Sequence, residues 1–229
     1  MPAKRGRYHH GDLRPALVDA AISVIAERGV RGFSLAEVTR RLGVTTAAPY
    51  RHFADRDDLL AAVAARALTV FAAMLSDAAD TADTPARRLA VMAGAYVKFA
   101  AQQRPLFDTI YNSGLDKSRY PELQRACEPV GTLLTVVLDV CDGDAGAASE
   151  LTDAVEATAH GYAMLLIDGD YGEGPDAVSA AAARAIASVR ALIAGRQALR
   201  PAESAASEMP AAPQPKPGID DDLVRDRRD

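Results

Sequence analysis

Residues 34–53 read SLAEVTRRLGVTTAAPYRHF, and this stretch decides how the rest of the chain is interpreted. Ser34 and Glu37 have the S-x-x-E spacing of a capping box, which satisfies free backbone amides at the start of a helix. Apolar residues then recur at helical spacing, and Gly43 supplies the left-handed residue that ends many helices. The pattern therefore predicts a short amphipathic helix that is closed by a glycine corner.

The residues after this corner predict a second, short helix. Proline is tolerated only in the first turn of a helix, so Pro49 places the start of this helix at Thr46. Thr45 or Thr46 would cap it, and Phe53 would anchor its far end. Two such helices around a corner are typical of a helix-turn-helix, whose second helix enters the major groove of DNA. An ordinary helical hairpin has the same caps, and spacing alone leaves it open.

Composition predicts an all-α protein. The chain has 229 residues, 49% of them hydrophobic, and alternating β-branched residues are scarce. We see no apolar run of the roughly 18 residues that a membrane span needs and no secretory signal, so we expect a cytoplasmic protein with no membrane partner. Cys127 and Cys141 have neither metal-binding nor redox spacing, and we expect buried thiols rather than a disulfide.

The formal net charge of −5 is unusual for a DNA-binding protein until the chain is divided. Residues 1–60 contain 10 Lys or Arg and 7 Asp or Glu, a balance of +3. Residues 61–229 contain 16 Lys or Arg and 24 Asp or Glu, a balance of −8. The basic charge is thus local, as expected for an electrostatic footprint on one face of a protein.

A basic arm opens the chain. It comprises residues 1–10 and carries Lys4, Arg5 and Arg7, which would neutralise phosphates or reach into a minor groove. A merely solvated terminus is an equal alternative for the arm taken alone. Its two adjacent histidines lack further ligands, and we expect no metal there.

The rest of the chain is predicted as a series of helices. One from Gly11 or Asp12 to Arg28 completes a three-helix module, and another from Asp55 to about Ala79 connects that module to a second domain. Further helices are predicted over 85–104, 105–111, 121–128, 129–140, 148–167 and 176–198. The predicted organisation is a flexible basic arm (1–10), a helix-turn-helix DNA-binding domain (11–55), a helical ligand-binding and dimerisation domain (56–199) and a disordered tail (200–229).

Three motifs follow one another through residues 12–62. They are LVDAAISVIAERG, FSLAEVTRRLGV and Tyr50-x-His52-Phe53-x-x-x-x-x-Leu59-Leu60. Together they resemble the DNA-binding domain of the TetR family of transcriptional regulators. Ala159-His160-Gly161 with the later Gly169 more weakly resembles the subgroup with a WHG-type C-terminal domain, although alanine stands here in place of its tryptophan.

The resemblance implies a homodimer that binds a palindromic operator in double-stranded DNA, and repression is the family's default. It assigns base reading to Thr45, Thr46 and Ala47, phosphate contacts to Tyr50 and His52, a backbone contact to Arg56, and phosphate-facing amides to the helix start at Ser34. Arg51 adds a cation that can reach guanine or phosphate. One departure is Pro49, which stands where many members have leucine or isoleucine.

The resemblance also implies a ligand pocket in the C-terminal domain, which needs apolar walls and a few polar groups. Candidates to line it are Phe71, Met74, Tyr96, Phe99, Phe107, Tyr111 and His160. Core packing is the alternative for each, and the tyrosines are favoured because a buried hydroxyl needs a partner. We expect an unknown small, largely apolar effector between the connector and middle helices. We expect the helices at 148–167 and 176–198 to form the dimer interface.

Two other functions are left open. One is a DNA-binding regulator with no small-molecule effector, which has the same sequence signals. The other is a helical-bundle metalloenzyme, because Glu156 and His160 are four residues apart with Glu150 and Asp153 on earlier turns. No second matching motif, nucleophile elbow, phosphate loop or zinc-protease motif accompanies them. We therefore expect a protein that is not an enzyme, with no catalytic residues, no cofactor and no bound metal.

Overall fold

The structure, a computed structural model, describes residues 13–133 and 135–199, and within these ranges it contains nine α-helices and no strand. The all-α prediction is confirmed. The helices are α1 (Leu13–Arg28), α2 (Leu35–Leu42), α3 (Arg56–Ala79), α4 (Pro85–Gln102), α5 (Arg104–Asn112), α6 (Pro121–Leu133), α7 (Thr135–Val140), α8 (Ala145–Ile167) and α9 (Pro175–Ala194). The predictions for Gly11, Asp12, the arm at 1–10 and the tail from residue 200 lie outside the described residues.

The caps of α2 form largely as the sequence predicts. The Ser34 hydroxyl accepts a hydrogen bond from the Glu37 amide at 3.3 Å, and Gly43 adopts the left-handed conformation with φ of 65°. The Glu37 carboxylate, however, accepts a hydrogen bond from Nε of Arg40 at 3.0 Å and pairs with Arg28. The first half of the capping box is therefore present, while the acid of the box ties α2 to the end of α1.

The prediction of a helix that begins at Thr46 is wrong. Residues 45–52, hereafter the 45–52 segment, form a turn followed by a single 3-10 turn at Pro49–Arg51. The Ala48 amide donates to the Thr45 carbonyl at 3.0 Å, and no side chain caps the 3-10 turn. Pro49 has no N–H to donate to the preceding turn, so an α-helical ladder cannot run through it. The corner and its second element are present, but the second element is shorter than predicted.

Helix α3 continues from the N-terminal module into the rest of the fold. The Asp55 carboxylate accepts a hydrogen bond from the Asp58 amide at 2.8 Å, which caps α3 as the sequence predicts. Helix α3 then packs against α1, α4, α5 and α6. The described residues up to Leu199 form one compact unit, so the domain boundary after residue 55 stays a prediction.

Two helices, Arg56–Ala79 and Pro175–Ala194, are long and apolar enough to cross a membrane by length and composition alone. The expectation that no stretch reaches this threshold is therefore wrong. Single charged residues such as Arg66 interrupt each apolar run, but alanine and aliphatic residues keep the average hydropathy high. In the fold, 67% of the apolar window of α3 is buried, as in the core helix of a folded domain.

Helix α4 lies at the centre of the C-terminal helices and packs against α3, α8 and α9. Gly94 permits its close approach to α9, because a Cβ atom there would lie 2.7 Å from Cδ1 of Ile186. Within the described ranges Cys127 and Cys141 form no disulfide; Cys141 is buried and Cys127 is half-buried.

Two predicted helix starts in this region are wrong. Helix α6 runs through Pro129 instead of restarting there, because packing against α3 compensates for one missing ladder bond. Helix α8 begins three residues early, at Ala145, because the Asp144 side chain accepts a hydrogen bond from the Ala147 amide at 3.1 Å.

Candidate nucleic-acid interface and ligand cavity

The 45–52 segment presents side chains to solvent on a buried base. Its exposed residues are Thr45, Thr46, Ala47, Tyr50 and Arg51, while His52 is half-buried. Tyr50 is 60% exposed, which is unusual for a large aromatic side chain. Pro49 is buried beneath the segment, and Phe53 behind it is only 2% exposed. Ser34, at the start of α2, is exposed as well.

Residues of α1 and α6 support the base of this segment. The Arg14 guanidinium of α1 lies 5.0 Å from the centroid of the Phe53 ring, within the range of a cation–π interaction. The same Arg14 forms an ion pair with Glu122 at the start of α6. The buried Pro49 and the anchored Phe53 therefore fix the exposed residues between them.

Most arginines of the N-terminal module are already paired with acids. These are Arg14, Arg28, Arg40, Arg41 and Arg56. The hydrogen bond from Arg40 lowers the pKa of the Glu37 carboxyl, and that from Arg41 lowers the pKa of Glu27. Arg51 is exposed and makes no ion pair with any residue in the described ranges. Its charge is thus available to an external anion.

Arg56 has a structural position that the sequence did not indicate. Its Nε donates to the Phe33 carbonyl at 3.1 Å and its Nη2 donates to the Val30 carbonyl at 2.9 Å. Its guanidinium also lies 5.2 Å from the centroid of the Phe33 ring and pairs with Asp57. These contacts fasten α3 to the turn between α1 and α2, and a contact between Arg56 and DNA stays a prediction.

A cavity of about 120 Å³ lies among helices α3 to α8. Of the predicted pocket residues, Phe71, Tyr96 and Tyr111 line it. The other described lining residues are Leu75, Leu89, Met92, Ala93, Val130, Val137, Thr152, Val155, Glu156 and Ala159. Met74 is half-buried, packs against the core and is not among them.

The remaining predicted pocket residues contact the rings that line the cavity. The ring of Phe99 lies 4.9 Å from that of Phe71, measured between centroids. The rings of Phe107 and His160 each lie 4.9 Å from that of Tyr111. The structure therefore brings six of the seven predicted residues into one aromatic cluster: Phe71, Tyr96, Phe99, Phe107, Tyr111 and His160. Three of them, Phe71, Tyr96 and Tyr111, line the cavity.

The two tyrosines of the cluster have raised pKa values, and Tyr96 is hydrogen-bonded within the fold. The Tyr96 hydroxyl and Nδ1 of His160 share a hydrogen bond of 2.8 Å. Burial raises the pKa of Tyr96, and the neighbouring Tyr111 and the charge of Glu156 raise it further. Burial likewise raises the pKa of Tyr111. The expectation that a buried tyrosine hydroxyl finds a partner holds for Tyr96.

Sequence reasoning missed the contribution of α8 to the cavity. Thr152, Val155, Glu156 and Ala159 line it and follow an i, i+3, i+4, i+7 spacing, which puts them on one helical face. That spacing is visible in the sequence. The sequence-based predictions give Glu156 only as a metal ligand and leave out the apolar residues on its face.

Residues 17–63 match a family profile described as "Bacterial regulatory proteins, tetR family", and residues 89–189 match "Tetracyclin repressor-like, C-terminal domain". This chain belongs to the TetR family. It is a DNA-binding transcriptional regulator, and residues 34–53, from which the helix-turn-helix is predicted, lie inside the first matched segment. Neither profile names a WHG-type subgroup, so that part of the resemblance stays a prediction.

Individual relatives support membership of the family but indicate no specific function for this chain. The HTH-type transcriptional regulator BetI of Brucella canis is 32% identical over 90 residues, which cover 39% of this chain and 44% of that protein. The chain thus matches less than half the length of this curated relative. A solved protein of unknown function from Rhodococcus sp. RHA1 is 32% identical with a TM-score of 0.66, covering 82% of this chain and 98% of that one.

More distant solved structures share the TetR fold. RolR, solved in complex with resorcinol, is 22% identical with a TM-score of 0.53 and covers 83% of this chain and 95% of its own. FadR from Bacillus subtilis, solved in complex with stearoyl-CoA, is 16% identical with a TM-score of 0.58, and the match covers 78% of this chain and 96% of FadR. At these identities the likeness concerns the fold alone.

The metalloenzyme alternative finds no ligand set in the described part of this TetR-family chain. No group of three or more His, Cys, Asp or Glu side chains is placed there to hold a metal ion. Of the four residues that suggested it, His160 has its Nδ1 engaged with Tyr96, and Glu156 lines the cavity.

Proposed function

We propose that this TetR-family regulator is a repressor that binds a palindromic operator as a homodimer and leaves it when a small, largely apolar effector binds. The observation that carries the proposal is the exposed 45–52 segment on a buried, anchored base. A surface of this kind holds its side chains in fixed positions, as the reading of base edges requires. The proposed location is the cytoplasm, where the operator is accessible.

Each exposed residue has a chemically suitable contact on DNA. The methyl groups of Thr45, Thr46 and Ala47 suit the methyl group of thymine, whereas Arg51 suits guanine or phosphate. Tyr50 and His52 are proposed to contact phosphates, and the amides at the start of α2 near Ser34 are placed to meet another. Lys4, Arg5 and Arg7 of the arm, which lies outside the described residues, would add contacts that depend on salt.

The proposed dimer interface is the outer face of α8 and α9. An open groove of about 570 Å³ lies there, lined in part by Gly161, Tyr162 and Leu192. Leu165 also lines it and is 42% exposed. Two copies of this helix pair can pack as a four-helix bundle around a two-fold axis, and the same symmetry matches a palindromic site.

The proposed effector site is the aromatic cavity. Its lining residues come from α3, which continues from the N-terminal module, and from the C-terminal helices. An effector changes operator affinity only by its difference in affinity for the two conformations of the protein. A regulator without an effector remains the alternative, and it predicts that no cavity ligand alters operator affinity.

The first test is selection of bound duplexes from random DNA by the full-length protein at moderate salt. We expect a palindrome. We expect its binding to be lost when Thr46 and Tyr50 are replaced by alanine and kept in a control Leu138→Ala, which alters an exposed residue of α7. Recovery of no motif, with only general binding that disappears at higher salt, would contradict the proposal.

A further inference from the structure

The cavity combines aromatic rings with one carboxylate. Phe71, Tyr96 and Tyr111 line it, and most of the remaining wall is aliphatic. Among the described lining residues, Glu156 is the one that carries a charge. Tyr111 is 37% exposed and Glu156 is also exposed, so the cavity opens to solvent where these two residues lie.

The Glu156 carboxylate has no counter-ion among the described residues. It makes no ion pair and no hydrogen bond with any residue of the ranges that the structure describes. Its carboxylate lies in the cavity wall beside the two tyrosines. Burial is the main cause of the raised pKa of Tyr96 and Tyr111, and the charge of Glu156 raises both further. The cavity therefore contains a negative charge that its own wall does not neutralise.

The aromatic residues add to this negative character. An aromatic ring carries negative electrostatic potential on its faces, and a cation within about 6 Å of the ring centroid is attracted to it. The Tyr96 hydroxyl is already engaged with His160, so the polar atom of this tyrosine is satisfied without a ligand. A cation is thus attracted by both the rings and the carboxylate, whereas an anion is repelled by both.

We propose that the effector is a small organic cation, a protonated amine or quaternary ammonium with compact apolar substituents. Its apolar groups contact Phe71, Tyr96 and Tyr111, and its charge lies next to Glu156. The cavity volume of about 120 Å³ limits the buried part to a compact group. This inference rests on the proposed function of the cavity as the effector site, and it adds the chemical class.

The test uses three probes with nearly the same shape and different charge: tert-butylammonium, tert-butanol and pivalate. Binding of each to the full-length protein is measured by calorimetry at neutral pH. We expect tert-butylammonium to bind about tenfold more tightly than tert-butanol, given the usual strength of cation–π contacts, and pivalate to bind most weakly. Tetramethylammonium, which cannot donate a hydrogen bond, should retain the preference.

A variant and a matched control locate the charge that is responsible. Glu156→Gln keeps the shape of the side chain and should reduce the cation preference to the part due to the rings. Asp153→Asn removes a charge one turn earlier on α8, from an exposed residue that does not line the cavity, and should change the preference little. Circular dichroism of both variants checks that the fold is kept.

Two outcomes would overturn the inference: equal or tighter binding of tert-butanol or pivalate, or no binding of any probe. Selection of operator DNA by the same preparation is independent of these results, so the DNA-binding proposal can stand while the inference fails. If the cation preference is reduced in Glu156→Gln but the cation does not change operator affinity, the chemical class is supported. The proposal that the ligand releases the protein from its operator is then contradicted.

Discussion

Arg51 and Arg56 lie five residues apart, yet their guanidinium groups have different surroundings. Arg51 is exposed and has no ion pair within the described residues. Arg56 donates to the Val30 and Phe33 carbonyls and joins α3 to the turn before α2. A basic residue in a DNA-binding module is therefore not by itself a DNA contact, and the two can be separated by experiment.

Arg56→Ala should lower the free energy of unfolding by about 1–2 kcal/mol, because it removes charge-assisted bonds and leaves two carbonyls with fewer partners. Arg51→Ala should change that free energy by less than about 0.5 kcal/mol. It should instead weaken operator binding and reduce the salt dependence by about one counter-ion per lost phosphate contact. Urea titration and binding at several salt concentrations measure both. Unchanged stability of Arg56→Ala with loss of DNA binding would restore Arg56 as a phosphate contact.

The pKa of Tyr96, raised by burial above the usual 10.0, predicts how stability depends on alkaline pH. The unfolded chain loses the tyrosine proton near pH 10 while the folded chain keeps it. The contribution to stability is therefore complete below about pH 10 and is lost as the pH rises further.

Tyr96→Phe removes this titrating group and should reduce the loss of stability between pH 9 and pH 11. At neutral pH it should cost about 1 kcal/mol, because Nδ1 of His160 loses its hydrogen bond. Urea unfolding midpoints at these pH values measure both effects. The same pH slope in the variant and in the unmodified protein would contradict the assignment.

At the scale of single elements, local signals predicted the helices and failed where packing decides. Ser34, Asp55 and Thr84 each cap a helix as their sequence context indicates. Pro49 and Pro129 show the limit of such signals. Pro49 breaks the α-helical ladder of the 45–52 segment, whereas Pro129 is tolerated inside α6, which packs along α3. Sequence spacing alone does not distinguish these two cases.

The cavity shows the same limit for a site. The rings of Phe71, Tyr96 and Tyr111 could be chosen from the sequence because large aromatic side chains cluster in cores. Glu156 could not be chosen from the sequence, because its place in the wall depends on how α8 is rotated against α4. That rotation is set by packing between residues far apart in the chain, such as Tyr96 and His160.

The proposed interface of α8 and α9 is tested by placing a charge in its groove. Leu165→Glu should convert the dimer to a monomer at micromolar concentration, because two carboxylates would be buried near the two-fold axis. Leu138→Glu is a matched control, since Leu138 is 37% exposed on α7 and does not line the groove. Sedimentation velocity measures both. A monomer in the unmodified protein, or a dimer that Leu165→Glu leaves intact, would contradict this interface.

At the scale of the whole molecule, α6 lines the cavity and is linked through Arg14 to the residue that anchors the 45–52 segment. Val130 of α6 lines the cavity, and Glu122 at the start of the same helix pairs with Arg14. Arg14 in turn lies over the ring of Phe53, which anchors the 45–52 segment. A shift of α6 that accompanies effector binding would therefore change the support of the DNA-reading residues.

Glu122→Gln should weaken this coupling with little effect on stability. The Arg14–Glu122 pair is partly exposed, at 43% and 46% of the two side chains, and an exposed pair adds at most about 1 kcal/mol to stability. Its loss should leave the affinity for tert-butylammonium unchanged in the absence of DNA. It should reduce the effect of that probe on operator affinity by about 0.5–2 kcal/mol, the range that coupling residues commonly show.

The measurement is a four-state cycle of operator affinity and probe affinity, each with and without the other ligand. Because coupling between two binding equilibria is reciprocal, both sides of the cycle must give the same reduction. Asp83→Asn is the control, since it breaks the exposed Arg87–Asp83 pair at the start of α4. This pair is not part of the link through Arg14 and Phe53. If Glu122→Gln and Asp83→Asn leave the coupling equally intact, the effector signal does not pass through Arg14. Helices α3 and α5, which line the cavity and pack against α1, would then be the next connections to test.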